Sequence, residues 1–550
     1  MTEFENKALA ASPIKPLCWF RKADDTFVAL NKTDKPQSLL DHLNTQNNRI
    51  QFTMEQGCNK TIPFWILGHN SAIKQSPVTL TSQSPHFWKD SKTREIDIMF
   101  LQTLFLSLAF VATCSAHNYG TVLSKSILFY EAQRSGDLPS NNRVSWRRDS
   151  ATNDKGDNNR DLSGGWYDAG DYVKFNFPMA WAVTVLAWGI LDFKSAYQAS
   201  GQYQNALKQI KWPLDYFLKC HPNANTYYVQ VGNGDVDHGY FGRPEDMNMW
   251  RPAYKITTNK PGSDIAAETA AAMAAGYLVF KDSNRGYANT LKTHAIQLFN
   301  FAKNYQRKYS DHGSEFRFYT SSGYKDELVW AAAWLYRATR DNTYLRYAEN
   351  NINQLGNGPA WAFSWDDKKA GAQVLLHQLT GRYKSAVEGF LRSWRPGSMT
   401  YTPQGIAWRN QWGPNRYVAN TAALALLAHK NNIRISMGNR NNRDWACHQI
   451  DLLLGDSGRS YVVGYGNRYP KKPHHRSSAC PVNRSQACNV NTFNDEGRNN
   501  PSILNGALVG GPGSDGSYED RRGDYIKSEV AVDYNAGFQT AVAGCKQLKG

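Results

Sequence analysis

Helical apolar spacing recurs along residues 117–550, with apolar side chains returning every three or four positions as one buried face requires. The clear stretches are Trp181–Tyr197, Tyr203–Cys220, Asp264–Phe280, Thr290–Tyr309, Asp326–Thr339, Asn342–Asn353, Ala370–Leu379, Tyr417–Lys430, Asn442–Leu454 and Val530–Leu548. Tyr119–Arg134 and Tyr383–Trp394 bring the helices to about twelve, with ends uncertain by about two to four residues. Alternating β-branched runs are scarce, the best being Tyr461–Val463. The pattern therefore predicts an all-α fold of helical hairpins closed into a ring. No long Pro/Ser/Gly linker and no second composition regime interrupts the stretch, which makes one domain the economical reading.

Between the helices lie long loops rich in glycine and aspartate: Asp161–Phe177, Gly232–Lys255, Tyr401–Arg416, Val462–Asn500 and Gly510–Asp524. Loops of this length inside a compact domain are usually functional, and here the carboxylates and aromatics concentrate in them.

The longest apolar run, Met99 to Ala116, starts at a methionine and ends in the small residues Cys114, Ser115 and Ala116. It reads as a secretory signal peptide cleaved after Ala116, although Glu95 and Asp97 precede it where basic residues are usual. A membrane-spanning helix needs about 20 apolar residues, and this run is shorter and interrupted by Gln102. Residues 1–98 stand in front of the signal. Their stretches Cys18–Val28, Leu39–Asn44 and Ile50–Glu55 resemble a retroelement reverse transcriptase. Where that family carries Tyr-x-Asp-Asp, this chain has Lys22 and Ala23 before Asp24 and Asp25. Such a short segment cannot make a polymerase. The expectation is a retroelement fragment joined in error to the front of a secreted chain; a disordered tail would equally add no function.

Composition changes this picture little. The formal charge of +16 suggests a polyanion partner, but the 63 Lys and Arg are spread along the chain. The densest cluster, Arg468 to Arg476, is broken by Pro470, Pro473, His474 and His475, so no cationic stripe for nucleic acid exists. The 17 Trp, 29 Tyr and 24 Phe are core fillers first, yet their flat apolar faces also stack on sugar rings.

Three constellations carry chemistry. In Gly164-Gly-Trp-Tyr-Asp-Ala-Gly-Asp171, a tight turn around Ala169-Gly170 can bring Asp168 and Asp171 toward one point. Two such carboxylates can hold one water while one of them takes its proton, although the segment taken alone reads better as an Asp-rich capping turn. In Tyr518–Asn535, Glu529 opens an apolar helical run, where a carboxylate complements the helix dipole. Facing an apolar cleft, its pKa would rise and make it an acid. In Ser460–Arg476, His474 and His475 follow Pro473 on a rigid loop. Adjacent side chains point apart and no third ligand has zinc spacing, which disfavours a metal there.

Together these three stretches resemble the glycoside hydrolase family 9 endoglucanases, particularly the animal ones. Further family-like stretches are Gln230–His238, Arg243–Met247, Pro261–Asp264, Trp365–Lys368 and Gln411–Pro414, so the resemblance covers essentially all of 117–550. It implies an (α/α)6 barrel whose loop face holds an open cleft for β-1,4-glucan, cut with inversion and with no cofactor required. By position, Glu529 is the general acid, Asp171 the general base, and Asp168 orients the water. His474 and Arg476 bind the glucose beside the scissile bond, and Asp520 supports the site. His238, Trp412, Arg416 and Tyr534 match other glucan contacts. Phe241 stands where the family often has Trp, weakening one stacking subsite, and Asn233 replaces a frequent Asp.

Ser322, Gly323, Asp326 and Glu327, with Asp366, resemble a loop that binds Ca²⁺ in bacterial members; helix capping by Asp326 and Glu327 fits equally well. In an oxidising compartment Cys480 and Cys488 are expected to pair. Cys220, Cys447 and Cys545 read as buried packing residues, one pair of which could bond. Asn483-Arg-Ser485 is a glycosylation sequon. The expectation is a secreted monomer acting on cellulose, with neither nucleic acid nor membrane as partner. With no separate binding module after Ala116, weak adsorption to crystalline cellulose follows. The rival is a glucan-binding protein without catalysis, against which stand Asp168, Asp171, Glu529, His474 and Arg476, all present.

Overall fold

The computed structural model describes residues 117–549 and, before them, the backbone of four strands. The chain divides into two compact units, Met1–Ala116 and His117–Gly550. In the first, β1 (Cys18–Lys22), β2 (Asp25–Ala29), β3 (Gln51–Gln56) and β4 (Phe64–Asn70) form an antiparallel sheet in the order β1-β2-β4-β3. Asp24 and the whole Met99–Ala116 run lie outside the described residues.

The second unit is helical. In chain order it holds α1 (Tyr119–Ala132), β5 (Lys174–Phe175), α2 (Asn176–Asp192), α3 (Lys194–Ala199), α4 (Tyr203–Cys220), β6 (Tyr227–Val231) and α5 (Gly234–His238). There follow β7 (Ala253–Ile256), α6 (Ser263–Phe280), α7 (Arg285–Asn304), α8 (Lys325–Thr339), α9 (Asn342–Asn351), α10 (Lys369–Thr380) and α11 (Lys384–Arg392). The unit ends with α12 (Pro414–Lys430), β8 (Ser436–Met437), β9 (Arg440–Asn441), α13 (Asn442–Asp451), α14 (Arg476–Ala479), α15 (Val490–Asn494) and α16 (Val532–Lys549).

Six of these helices close a ring: α2 packs on α6, α6 on α8, α8 on α10, α10 on α12, α12 on α16, and α16 back on α2. Outside it, α4, α7, α9, α11, α13 and α1 each back an inner helix, which gives the (α/α)6 barrel. The sequence assigns the layers. Inner α2 and α6 are buried on nearly every side, as an inner wall with neighbours all round must be. Outer α4 buries Ala206, Ile210, Leu214 and Phe217 and turns Gln204 and Lys208 to solvent. Each inner helix also begins where a long connection ends, so the loops gather over the N-terminal ends of the inner ring.

Several boundaries differ from the periodicity. The Trp181–Tyr197 helix starts at Asn176, because Pro178 sits in the first turn, where no helical N–H bond is missed, and it breaks at Phe193 into α3. The Thr290–Tyr309 helix runs from Arg285, capped by the Asn284 side chain, to Asn304. Val530 and Ala531 precede α16 rather than begin it. Tyr461–Val463 is no strand; only Val462 bridges to Leu508. The strand that matters is Tyr227–Val231, at the centre of a β5-β6-β7 sheet; all five of its residues are buried. Burial on both faces erases the two-residue alternation by which a strand is read. Among the described residues no helix is long and apolar enough to cross a membrane.

Candidate active site

Backbone hydrogen bonds stitch the three constellations together. Gly170 O accepts from Arg476 N at 3.1 Å, Asp168 O from Val532 N at 2.8 Å, and Ser528 O from His474 N at 2.8 Å. A Cβ on Gly170 would lie 2.2 Å from His474 O, so only glycine lets these loops meet. Gln133, from the end of α1, donates to both Tyr167 O and Ala169 O and holds the first loop from behind.

Glu529 and Asp171 have opposite electrostatics. Burial pushes Glu529 up to about 7, although Tyr534 Oη (2.6 Å) and Trp412 Nε1 (2.7 Å) both donate to its Oε2 and favour the ionised form. Burial would also raise Asp171. His238 Nε2 at 3.5 Å, the Arg476 guanidinium and the Ala169 amide at 3.2 Å outweigh it and hold Asp171 below the ordinary carboxylate range. Near neutral pH one carboxyl can carry a proton while the other is ionised, the division of labour an acid–base pair needs. Asp168 is raised well above the usual range by burial and by the charges of Asp171 and Asp533. Its Oδ2 accepts from Tyr319 Oη at 2.5 Å, and its Oδ1 is buried with no protein partner, which suits a bound water.

His474 is neutral: burial lowers it to about 4. With Nδ1 donating to Arg522 O at 2.8 Å, its Nε2 is left as the acceptor. Arg476 is anchored on Asp237 through Nη1, 2.8 Å from the carboxylate and 2.9 Å from the carbonyl. Trp412, 41% exposed, and Tyr525, 53% exposed, stand beside Glu529 with ring centroids 5.6 Å apart, an open aromatic platform. A cleft of about 750 Å³ lies between Arg416 and Tyr417, the indoles of Trp361 and Trp365, and the Ser322–Asp326 loop.

The structure gives four of the residues read from the sequence specific protein partners. Tyr534 is 1% exposed and spends its hydroxyl on Glu529, so it positions the acid rather than touching sugar. Arg416 is held in an ion pair with Asp533 at 2.7 Å and is mostly buried, with one side on the cleft wall. Phe241 packs on Phe493 (5.1 Å) beneath the Arg476 guanidinium (4.9 Å), supporting that arginine instead of forming a stacking face. Asp520 accepts from Lys471 N (2.7 Å) and Lys472 N (3.0 Å) and so fixes the loop that leads through Pro473 to His474. Sequence reasoning missed Tyr319, Asp533, Asp237 and Tyr525. Asp237 sits next to His238 in a stretch already singled out, and Asp533 and Tyr525 lie inside the Glu529 constellation. Tyr319 lies in a short 3₁₀ segment with no motif around it.

At the candidate calcium loop, Ser322 N donates to Asp366 Oδ1 (2.8 Å) and Lys368 N to Asp326 Oδ2 (2.8 Å). Glu327 gives Oε1 to the Lys368 ammonium (2.9 Å), while its Oε2 is buried without a partner. Burial first, and the Asp326 carboxylate next to it, push Glu327 well above the usual range. An orphaned carboxylate oxygen beside a second carboxylate fits a hard cation. Among the described residues the acidic and histidine side chains whose ligand atoms converge are Asp171, Asp237 and His238, where Arg476 already supplies a cation, while Asp326, Glu327 and Asp366 do not converge in this way. Both Cys480–Cys488 and Cys447–Cys545 are disulfides, and Cys220 is free and buried.

The sequence pattern of "Glycosyl hydrolase family 9" matches residues 119–542. The chain belongs to glycosyl hydrolase family 9. A solved family 9 structure, the endoglucanase of the termite Nasutitermes takasagoensis, is 50% identical and superposes with a TM-score of 0.76, covering 79% of this chain and all of the termite one. Endoglucanase A of Bacillus pumilus is 44% identical over 79% of this chain and 67% of its own length. A cellulase of C. cellulolyticum in complex with cellobiose is 36% identical, with a TM-score of 0.72 over 80% of this chain and all of its own. The family match leaves out residues 1–118, so the likeness of Cys18–Glu55 to a reverse transcriptase has no counterpart in it.

Proposed function

We propose that this family 9 endoglucanase cuts internal β-1,4 bonds of cellulose and related β-glucans with inversion at the anomeric carbon. The observation that carries the reading is the opposite poise of Glu529 and Asp171 on loops tied together through Gly170, His474 and Ser528. Glu529 protonates the leaving glycosidic oxygen as its bond to the anomeric carbon breaks. A water held against Asp168 attacks that carbon from the opposite face and gives its proton to Asp171. An inverting site needs its carboxyl groups about 6.5–9.5 Å apart to admit that water. His474 and Arg476 border the same space, and the Trp412–Tyr525 platform receives sugar on the acid's side. Reducing-sugar release from carboxymethyl cellulose tests the reading. Glu529→Gln, which keeps shape and loses the proton, should lower kcat at least about 10²-fold. An unchanged rate would sink the assignment. No observation favours a binding-only protein.

The enzyme requires no cofactor for this chemistry. A structural Ca²⁺ held by Asp326, Glu327, Asp366 and the carbonyls of Ser322 and Gly323 would neutralise carboxylates that now crowd one another. Chelation should lower the melting temperature, and added Ca²⁺ should restore it; identical melting curves would remove the ion from the account.

We further propose that Met99–Ala116 is a signal peptide, that the enzyme is secreted as a monomer, and that residues 1–98 are extraneous to it. Two disulfides among the described residues support an oxidising compartment. The scattered cations support a glucan rather than a nucleic acid or membrane as partner. Sequencing the 5′ end of the transcript tests the boundary: a message beginning at Met99 is expected, and a translated 1–98 would refute it.

A further inference from the structure

We infer that Asn483 carries an N-linked glycan whose first N-acetylglucosamine lies in the groove beside it. The inference rests on the secretory reading above. Within residues 117–550, Asn483-Arg-Ser485 is the only Asn-x-Ser/Thr sequence without proline at its centre. Asn483 is exposed, at the crown of the loop closed by Cys480–Cys488. Its Oδ1 accepts from Ser485 N (3.1 Å) and Ser485 Oγ (2.9 Å), while its Nδ2 donates to no protein group among the described residues. The Ser485 hydroxyl thus already polarises the amide whose nitrogen must react. In that reaction Nδ2 loses one proton and bonds to the anomeric carbon of a lipid-diphosphate-linked oligosaccharide. The carbon–oxygen bond to diphosphate breaks, and the lipid diphosphate leaves.

The surroundings fit the product. A groove of about 260 Å³ is lined by Asn483 itself, with Pro481, Val482 and Pro501 as an apolar floor and Gln486 and Arg498 as a polar rim. Val482 is 62% exposed and, across a second groove, Ile503 is 50% exposed, so an apolar strip lies open next to the sequon. An N-acetylhexosamine matches it, with C–H faces and an acetyl methyl for the floor and hydroxyls for the rim. The loop is rigid enough to seat it: one Arg243 nitrogen donates to Pro481 O (2.9 Å), Asn483 O (3.3 Å) and Gln486 O (3.0 Å).

The test places His117–Gly550, which closes its own ring, behind a standard secretory leader in insect cells. The translocated pool, secreted or retained, is weighed before and after peptide:N-glycosidase treatment. A drop by the mass of one glycan is expected, and no drop in Ser485→Ala, which keeps the asparagine. Translocated wild-type protein without that drop would overturn the inference. A parallel sample carrying Met99–Ala116 as its leader separates the two readings: failure to translocate there, with Asn483 occupied under the standard leader, strikes only the localisation. The glycosylated form should melt higher than the treated form, and Val482→Ser should shrink that difference. Equal melting of both forms would overturn the groove as the glycan's seat.

Discussion

Glu529 is raised to about 7 by burial in spite of two donors that favour its charged form. The sign of a donor's removal follows. Tyr534→Phe takes away a hydrogen bond made to the carboxylate, so the acid's pKa rises and it stays protonated to higher pH. A hydrogen bond to a charged group contributes about 1.5–3 kcal/mol, and one pKa unit is about 1.4 kcal/mol. The alkaline limb of the kcat/KM profile should therefore move up by about one pH unit, while the acid limb, set by Asp171, stays put. A downward move would contradict the role given to Tyr534. Asp168, Asp171, His474 and Glu529 were legible because their motifs resemble those of the family; local spacing alone left Asp168 and Asp171 as a capping turn and Glu529 as a dipole-complementing carboxylate. The partners that tune them were not legible. Tyr319 reaches Asp168 from 151 residues away, and local spacing carries no trace of such a contact. Tyr534 was found as a position but not as the donor to Glu529, since sequence does not tell a side chain facing sugar from one facing a carboxylate behind it.

Among the elements, the helices were legible and the loops' meeting was not. Periodicity showed helices and hairpins but not which helix lies inside; the contrast of the all-round burial of α2 and α6 with the single apolar face of α4 appears in the structure, and the twelve-helix barrel was expected from the family resemblance. The buried strand Tyr227–Val231 escaped because it has no exposed face to alternate with. Nor does glycine spacing reveal that Gly170 presses against His474. That contact makes a prediction at this scale. In Gly170→Ala the added carbon, 2.2 Å from a backbone oxygen, must push the Asp168–Asp171 turn off the His474 loop. The rate should fall by about 10²-fold, because a 1 Å displacement of a reacting group costs that much, while the helical circular dichroism stays unchanged. Wild-type kcat in that variant would show the two loops to be independent.

For the whole molecule the question is what holds the ring shut where the chain's last helix meets its first inner one. Inner α16 packs on both α12 and α2, so the barrel stays open until the final residues arrive. The Cys447–Cys545 disulfide ties α16 to outer α13 across a sequence separation of 98, and both cysteines are fully buried. Cross-linking so long a loop removes much of the unfolded chain's freedom, about 4.7 kcal/mol in the entropic picture and about 2–4 kcal/mol as commonly realised. Cys480–Cys488 closes a separation of only 8 and restrains far less. Replacing Cys447 and Cys545 together by Ala should lower unfolding stability by about 2–4 kcal/mol in urea titrations, with kcat at 25 °C kept because neither sulfur approaches the cleft. Replacing Cys480 and Cys488 should do the reverse: a smaller loss of global stability, and a larger effect on the rate through the loop that carries His474 and Arg476. Because the 447–545 bond is buried, reductant should reach it only through global opening, so its loss in native protein should follow the unfolding rate. Reduction of both bonds at one common rate would show that the ring's end frays on its own and that the disulfide is not its latch.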